Sequence, residues 1–518
     1  MTEWQFTAAI ANANHRSLQR LIRAVALSKG QFALILVRCN YGQLRTSVLE
    51  NLRTLTKDIY LRELELSPLT TANLHNTIIS DLYLDIPAVA GDALPEALMV
   101  FGLESVIKID DLLTGLNQAR DIYADTFPFP LVLWLKDEVA TQLSRLAPDF
   151  KSWAATTIKF EMTKEELITL IRKNTEYLFN YILNSTDESH SLDKVSSLDS
   201  SKEIETARED LLRIYNIQLE PELNRCLEFV SGYNAYINDQ VEEALSHYQH
   251  SLALWDDENH TFTFSQSVYK AIVLFHLGLC YGRMADLRPA LNRSYWLEGI
   301  VWFKKSLSTF ESIGRQDKVA QFIPPLLQML KHVEAWDELH TYASQALELY
   351  ATYPDKASEA QAYGFLAVVA AARSNWLQAY ELANTARTIA EVSVNVSRAQ
   401  ESWYLLLLGR AQRHLGEWEE AINNLEWAKV VCEVQYEPSL YLEIVEELRS
   451  LYFFERHNYS EAFNLKQEKV QVEHQYGFRA FIGATTLQPQ RYKVNGSTGN
   501  VVGCTSINQS RISYIPEE

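Results

Sequence analysis

The chain has 518 residues, of which 47% are hydrophobic and 22% are charged, and its formal net charge at pH 7 is −19. This composition is typical of a globular protein and is long enough for about two to four domains. Binding to double-stranded nucleic acid needs clustered Lys and Arg, so an acidic chain without a basic tract argues against a nucleic-acid partner.

Targeting signals and metal-binding patterns are absent from the sequence. There is no apolar run near about 20 residues, so we expect no membrane span, and the N-terminus lacks the basic start and apolar core of a secretory signal. The cysteines are scattered, with no CxxC or Cys/His zinc spacing: Cys39, Cys226, Cys280, Cys432 and Cys504. We therefore predict a cytoplasmic protein with reduced thiols, no metal and no cofactor.

In residues 1–162, short apolar runs alternate with amphipathic stretches. The predicted strands are Phe32–Val37, Ile59–Leu66, Ala97–Leu103, Leu131–Leu135 and Thr157–Phe160. The predicted helices are His15–Ser28, Leu44–Leu55, Ala72–Leu82, Ile109–Ala124 and Lys136–Leu146. Strand–helix alternation predicts an α/β domain with a parallel sheet that is covered on both faces.

A phosphate-binding loop would follow the first strand of such a domain. In the frame G-x-x-x-x-G-K-[ST], Cys39 and Leu44 take the places of the two glycines, Arg45 that of the Lys and Thr46 that of the hydroxyl residue. Both glycines are missing, and side chains with a Cβ disfavour the positive φ angles of a wrapped loop. A vestigial nucleotide site would consist of Gly42, Arg45, Thr46 and, after the third strand, Glu104; the alternative is that Arg45 is a solvated helix residue.

The strand series FALILVRCN, LMVFGLES and PFPLVLWLKDEV resembles the P-loop ATPase core of STAND-type signalling proteins. It is also similar to the N-terminal module of bacterial, especially cyanobacterial, tetratricopeptide proteins. The resemblance covers about residues 10–162 and implies a P-loop NTPase-like fold. ATPase activity in that family depends on the Gly-Lys-Ser/Thr loop, which this chain lacks, so we expect a degenerate, non-hydrolysing domain.

Residues 163–203 are predicted to be a helical and disordered linker. Glu165–Leu183 has helical periodicity, whereas Asn184–Lys202 is rich in Ser and Asp and has few large apolar residues to offset the entropy of ordering. We place the domain boundary there and expect helices to resume near Glu203. At the other end, residues 483–518 are rich in Gly, Ser, Asn and Thr and are predicted to be a flexible tail.

Residues 204–482 carry a repeat with a period of about 40 residues. Its markers are bulky residues after a predicted helix–helix turn, several of them followed three residues later by Ala: Val241, Trp296, Trp336, Trp376, Trp418 and Tyr459. A fixed period of this length in a helical segment predicts a solenoid of stacked helix pairs.

The clearest copy of the repeat is 401–428. Gly409 on its first helix would permit a close approach, Gly416 would end that helix in the left-handed conformation, and Ala421 and Ala428 would lie at the crossing on the second helix. This pattern resembles the tetratricopeptide repeat. The resemblance implies a groove lined by the first helix of each pair, with these partner-binding positions: Trp403, Leu406, Arg410, Arg413, His414, Gln328, Lys331 and His332.

The sequence thus favours a non-enzymatic scaffold or signalling adaptor that binds a protein or peptide in the groove of its repeats. The alternative is a nucleotide-regulated, STAND-like switch with weak ATP or GTP binding in the N-terminal domain. We predict no enzymatic activity, because no catalytic constellation has a spacing that can be argued locally. Self-association through a terminal face of the array stays open.

Overall fold

The computed structural model describes residues 3–476 except 69, 71–72, 85–93, 185–193, 218, 256–263, 289–290 and 394–395. The predicted tail at 483–518 lies outside the described residues. The chain divides into two compact units between Asn234 and Ala235. None of the described helices combines the length and the apolar character that crossing a bilayer requires.

The first unit contains a parallel five-stranded sheet, as predicted. Its strands are β1 (Ala33–Arg38), β2 (Leu61–Glu65), β3 (Ala97–Phe101), β4 (Pro130–Leu135) and β5 (Ile158–Lys159). They lie in the order β2-β3-β4-β1-β5, and every pair is parallel. Each of the five apolar runs in the sequence therefore forms a strand.

Helices connect and cover these strands. They are α1 (Glu3–Leu27), α2 (Gly42–Leu55), α3 (Leu74–Leu84), α4 (Ile109–Gln118), α5 (Arg120–Thr126), α6 (Asp137–Leu146), α7 (Pro148–Ser152), α8 (Lys164–Asn184), α9 (Lys194–Tyr215) and α10 (Pro221–Ile237), which runs across the division. The helix predicted over Ile109–Ala124 is two helices, α4 and α5, that meet at Ala119.

Alternating side chains of the sheet enter two separate cores. Leu34 and Leu36 pack into one apolar cluster, while Ile35 and Val37 pack into the other. The β4 residues are all buried. Both faces are therefore covered, which explains why these strands read as continuous apolar runs instead of alternating ones.

The segment predicted to be a linker contributes to the core of the first unit. α8 covers its helical part, but α9 begins at Lys194, so the prediction of disorder is wrong from that residue onward. Ile204, Ala207 and Leu211 of α9 are buried in a cluster with Leu167 and Leu170 of α8. These apolar residues, at helical spacing, give α9 a face that packs in this core. The structure accordingly divides the chain after Asn234 and not within 184–202.

The second unit is built from helices only. They are α11 (Val241–Trp255), α12 (Phe264–Leu287), α13 (Asn292–Ser312), α14 (Gln316–Phe322), α15 (Pro324–His332), α16 (Trp336–Thr352), α17 (Lys356–Ala372), α18 (Trp376–Glu391), α19 (Arg398–Leu415), α20 (Trp418–Val431), α21 (Pro438–Ser450) and α22 (Tyr459–Tyr476). Val241, Trp336, Trp376, Trp418 and Tyr459 are each the first residue of a helix, as predicted for residues that follow a turn. Trp296 differs, because it lies inside α13, which begins at Asn292.

The helices form two layers. α15, α17, α19 and α21 pack on one another in succession, whereas among the described helices no comparable packing joins α16, α18 and α20. Neighbouring repeats are therefore closer together on the side of α15, α17, α19 and α21. We call these four the inner helices, because stacking that is tighter on one side curves a solenoid toward that side.

Glycine permits the close crossing within a repeat, as the sequence predicted. A Cβ on Gly409 of α19 would lie 2.5 Å from Cγ of Leu425 on α20. Gly416 ends α19 with a φ of 85°, the left-handed conformation expected there. The tight turn and the close crossing thus depend on two glycines of the same repeat.

We expect Gly409→Ala to lower the free energy of unfolding although Ala is the better helix former. The gain in helix propensity is about 1 kcal/mol, and overpacking against Leu425 costs about 1–3 kcal/mol. Urea unfolding followed by circular dichroism measures the difference. Asn423→Ala, at an exposed position of α20, is the control and should change little. A Gly409→Ala protein as stable as the parent would show that the crossing is not tight.

Candidate functional site

The inner helices converge at Gly364 of α17. The ring of Trp403, on α19, rests against this glycine, where a Cβ would be only 2.6 Å from the indole. On the other side of α17, Lys331 of α15 reaches the same ring, with Nζ 5.3 Å from its centroid. Trp403 and Lys331 are both half-buried. Three successive repeats thus meet at one partly exposed aromatic side chain.

Arg410 and Arg413, also on α19, are held by acidic residues of the next repeat. Nε of Arg410 donates to Glu447 at 2.6 Å, and a second nitrogen lies 3.6 Å from Glu443. Arg413 contacts Glu447 at 3.2 Å and Glu455 at 3.5 Å. Their guanidinium groups are therefore neutralised within the chain, and a partner's carboxylate would have to compete with Glu447.

Two histidines at the ends of inner helices stack on tryptophans of the preceding repeat. His332 lies on Trp296 with ring centroids 4.5 Å apart, and His414 lies on Trp376 at 3.7 Å. Burial, then the nearby Lys331, lowers the pKa of His332 to about 4. Burial and then Arg413 lower the pKa of His414. Both imidazoles are therefore neutral near pH 7, and a tryptophan covers one face of each ring although both residues are exposed.

Ion pairs take the place of these stacks at the other repeat junctions. Arg288, at the end of α12, pairs with Glu242 of α11, and Arg456, before α22, pairs with Glu419 of α20. Between them, Arg373 pairs with Asp337 of α16 at 2.6 Å. From α11 to α22 the junctions thus alternate: ion pair, Trp/His stack, ion pair, Trp/His stack, ion pair. The two residues of each pair are about one repeat apart in the sequence. This spacing could have predicted the pairs, and the sequence analysis missed it.

One of the predicted groove residues is fully buried and another is exposed. Leu406 is fully buried, in the cluster that contains Leu425 and Ile444, so its assignment to the groove is wrong; its position on α19 faces the neighbouring helices. Gln328 is exposed, and its Nε2 lies 3.3 Å from Nε2 of His332. The structure thus brings Lys331 to Trp403 and joins Arg410 and Arg413 through Glu447.

The carboxyl edge of the sheet in the first unit brings Arg45 and Glu104 together, 3.9 Å apart. Lys136 is 3.6 Å from the same carboxylate. Thr46 donates its hydroxyl to the carbonyl of Gly42, 3.0 Å away in its own helix. The residues of the predicted vestigial site are therefore close in space, and each forms contacts within the chain.

Further residues at this edge escaped the sequence reasoning. Arg38, which ends β1, forms a two-point ion pair with Asp137, which begins α6. The backbone N–H of Asp137 donates to the side chain of Asn40 at 3.0 Å. Asn40 follows the end of β1 and Asp137 follows the end of β4, the adjacent strand. Their positions in the strand–helix pattern were therefore a usable signal.

The described part of the chain offers neither a metal site nor a reactive thiol. Within it, no group of three or more His, Cys, Asp or Glu side chains is placed to hold a metal ion. Its cysteines, Cys39, Cys226, Cys280 and Cys432, are free and buried. Burial raises the pKa of Cys39 to about 11 and that of Cys280 to about 12. Such thiols are protonated and unreactive near neutral pH.

We expect the two Trp/His stacks to make stability depend on pH. Because the folded-state pKa values lie below the ordinary value of 6.5, the unfolded chain binds protons more readily. The contribution is complete above about pH 6.5 and is lost as pH falls from there toward the folded-state values. Melting temperatures between pH 7.5 and pH 5, compared with those of a His332→Gln, His414→Gln protein, measure it. Parallel curves for the two proteins would contradict the expectation.

Comparison with known proteins gives a family for part of the second unit. Residues 358–429 match the family model of the tetratricopeptide repeat. No curated protein sequence matches the chain.

Among solved structures, the apo form of RapI is 14% identical, with a TM-score of 0.39, over 60% of this chain and 98% of its own. NprR in complex with its cognate peptide NprX is 12% identical, with a TM-score of 0.41, over 60% and 80%. A STAND protein with a tetratricopeptide repeat sensor from Pyrococcus horikoshii is 12% identical, with a TM-score of 0.30, over 88% and 82%. The family match thus covers most of α17 to α20, the helices that carry Gly364 and Trp403, and this part of the chain is similar to the tetratricopeptide repeat.

Proposed function

We propose that this chain is a non-enzymatic protein-interaction scaffold or signalling adaptor that binds a protein or peptide on its inner helices. The observation that carries the proposal is the convergence of α15, α17 and α19 at Trp403, a half-buried aromatic residue that rests on Gly364. Tryptophan is among the residues that most often dominate binding energy at interfaces, especially where it is surrounded by other packed groups.

The ionic contacts between α19 and α21 support this proposal in a different way from the one expected from the sequence. Glu447 accepts hydrogen bonds from both Arg410 and Arg413, and this holds two inner helices in register. A preorganised surface loses less entropy when a partner binds. We propose that these arginines position the groove, and that Gln328, Lys331, His332 and Trp403 contact the partner.

The proposal includes a cytoplasmic location and excludes nucleic acid, membrane and cofactor as partners. It is supported by the net charge of −19 and by free thiols at all the described cysteines. Association with a second copy of the chain is compatible with it.

A nucleotide-regulated switch is the second candidate function. The observation that favours it is the presence of three cations, Arg38, Arg45 and Lys136, at the carboxyl edge of a parallel sheet, where ligands of such sheets bind. Against it, each cation is already paired with Asp137 or Glu104.

The groove proposal predicts that Lys331→Gln weakens partner capture without unfolding the protein. Loss of the ammonium group removes the contact with the Trp403 ring, worth about 0.5–1 kcal/mol at an exposed site, and changes the charge that a partner meets. Affinity purification from the source cells, followed by mass spectrometry, identifies proteins bound by the parent chain. Purified partners are then titrated against the variants.

Trp403→Ala should weaken the same complexes more strongly, by about 2 kcal/mol or more if Trp403 is an anchor. Trp427→Ala is the matched control, since Trp427 is a 54% exposed tryptophan on α20, outside the inner layer. Thermal melting confirms that each variant is folded. The groove assignment would be overturned by partners that bind the parent, Trp403→Ala and Trp427→Ala equally. It would also be overturned by partners whose affinity falls in Trp427→Ala.

The switch is tested by thermal melting with magnesium-ATP or magnesium-GTP. A nucleotide at about 100 times its dissociation constant should add about 2.7 kcal/mol to the stability of the unit that binds it. Arg45→Ala should abolish this gain. An unchanged melting temperature at millimolar nucleotide would exclude the second candidate.

A further inference from the structure

The first unit contains a long segment that lacks acidic residues. Although the whole chain has a net charge of −19, residues 4–49 contain no Asp or Glu. The cations of this segment are Arg16, Arg20, Arg23, Lys29, Arg38 and Arg45. The last three each form an ion pair with a carboxylate that comes after residue 49 in the chain. The first three all lie on α1.

The three arginines of α1 form one exposed stripe. They are spaced four and three residues apart, so they lie on the same side of the helix, and all three are exposed. Nε of Arg16 donates to the backbone carbonyl of Asn12 at 3.3 Å, but none of the three pairs with a carboxylate among the described side chains. Leu27, four residues after Arg23 on the same side, is 85% exposed. We call Arg16, Arg20, Arg23 and Leu27 the α1 stripe.

The opposite side of α1 fixes the direction in which the stripe faces. Leu21 and Val25 are buried in a cluster with Val37 of β1 and Ile158 of β5. The helix is therefore anchored on the sheet by apolar packing, and the arginines face away from the core. A partner that binds a fixed helix loses less entropy than one that must order it.

The spacing and chemistry of the α1 stripe match those of a contact between two helices. Steps of four, three and four residues recur where one helix packs along another. The stripe extends about 16 Å along the helix axis, which is about three turns. Each guanidinium group can bind a carboxylate through two parallel hydrogen bonds, and Leu27 offers an apolar contact at one end. The complement is a helix with acidic residues and an apolar residue on one side.

Membranes and nucleic acids fit this surface less well. Both extend far beyond about 16 Å, and the net charge of −19 means that they would meet repulsion elsewhere on the protein. Helices that bind a bilayer surface bury a wide apolar face. Among the described side chains of α1, Leu27 is the one large apolar side chain that is exposed. A short acidic segment of a protein avoids both problems.

We propose that the α1 stripe docks an acidic, amphipathic helix of a protein partner. Three carboxylates of that helix, at the matching spacing, pair with Arg16, Arg20 and Arg23, and an apolar side chain beside them packs on Leu27. This surface belongs to the first unit, so the inference does not depend on the groove of the inner helices. It assigns a binding role to the cations of residues 4–49 that the protein itself leaves unpaired.

The test is the binding of a synthetic helical peptide to the full-length chain, measured by fluorescence anisotropy at about 0.15 M salt, where distant charges are screened. The peptide has Glu at three positions spaced four and three residues apart and Leu four residues further on. The variant Arg16→Glu, Arg20→Glu, Arg23→Glu should bind it at least about tenfold more weakly, because each attraction becomes a repulsion.

The matched control is Arg145→Glu, Arg172→Glu, Lys173→Glu, which makes the same change of charge at exposed positions of the first unit. It should bind the peptide like the parent. Leu27→Ser should weaken binding without a change of charge, and a peptide with Gln in place of each Glu should not bind the parent. Far-ultraviolet circular dichroism shows that the variants are folded.

Equal affinity of the stripe variant and the parent, an equal fall in the control, or full binding of the Gln peptide would each overturn the proposal. If the stripe variant does not fold, Arg20→Gln decides, and an unchanged affinity would refute the docking. A duplex DNA fragment and vesicles that contain phosphatidylserine are titrated as the alternatives. Either one would replace the acidic helix as occupant if it bound more tightly than the peptide and lost that binding in the stripe variant.

Discussion

The second unit depends on helices that approach each other more closely than large side chains would allow. Gly409 admits Leu425, Gly278 admits the ring of Phe303, and Gly364 admits Trp403. Ala421 and Ala428 are fully buried at the crossing of α19 and α20. Small residues at these places let the larger ones fill the space between layers at the density of a protein interior. Curvature, core and candidate groove all follow from this packing.

Ion pairs and Trp/His stacks at the repeat junctions help to fix the orientation of one repeat relative to the next. Ion pairs such as Arg373–Asp337 are largely exposed and each contributes little to stability. Stacked pairs such as Trp376–His414 bury ring faces and contribute through contact area. Because both kinds join a residue at the end of one helix to a residue in the first two turns of an earlier helix, they define how successive repeats are rotated. They alternate along the chain, so the titration of a histidine concerns every second junction.

Acidic residues neutralise nearby cations in both units, in keeping with the excess of Asp and Glu. In the second unit Glu447 takes both Arg410 and Arg413, and in the first unit Glu104 lies between Arg45 and Lys136. Half-buried pairs of this kind cost desolvation and contribute chiefly to specificity of arrangement. The arginines that the sequence suggested as ligand-binding groups are therefore already paired within the chain. The half-buried ring of Trp403 is the better candidate for contact with a partner.

The sequence by itself determined the elements: five strands, the helices between them and the repeat of about 40 residues. These are local properties, since they follow from the periodicity of apolar residues and from turn-forming glycines such as Gly416. Only the tertiary structure decided which side chains meet. It buried Leu406, left Trp403 half-buried, paired the arginines with Glu447 and brought Glu203 to Gly42 from 161 residues away. Such contacts depend on how whole helices pack, and no local pattern of residues specifies that packing.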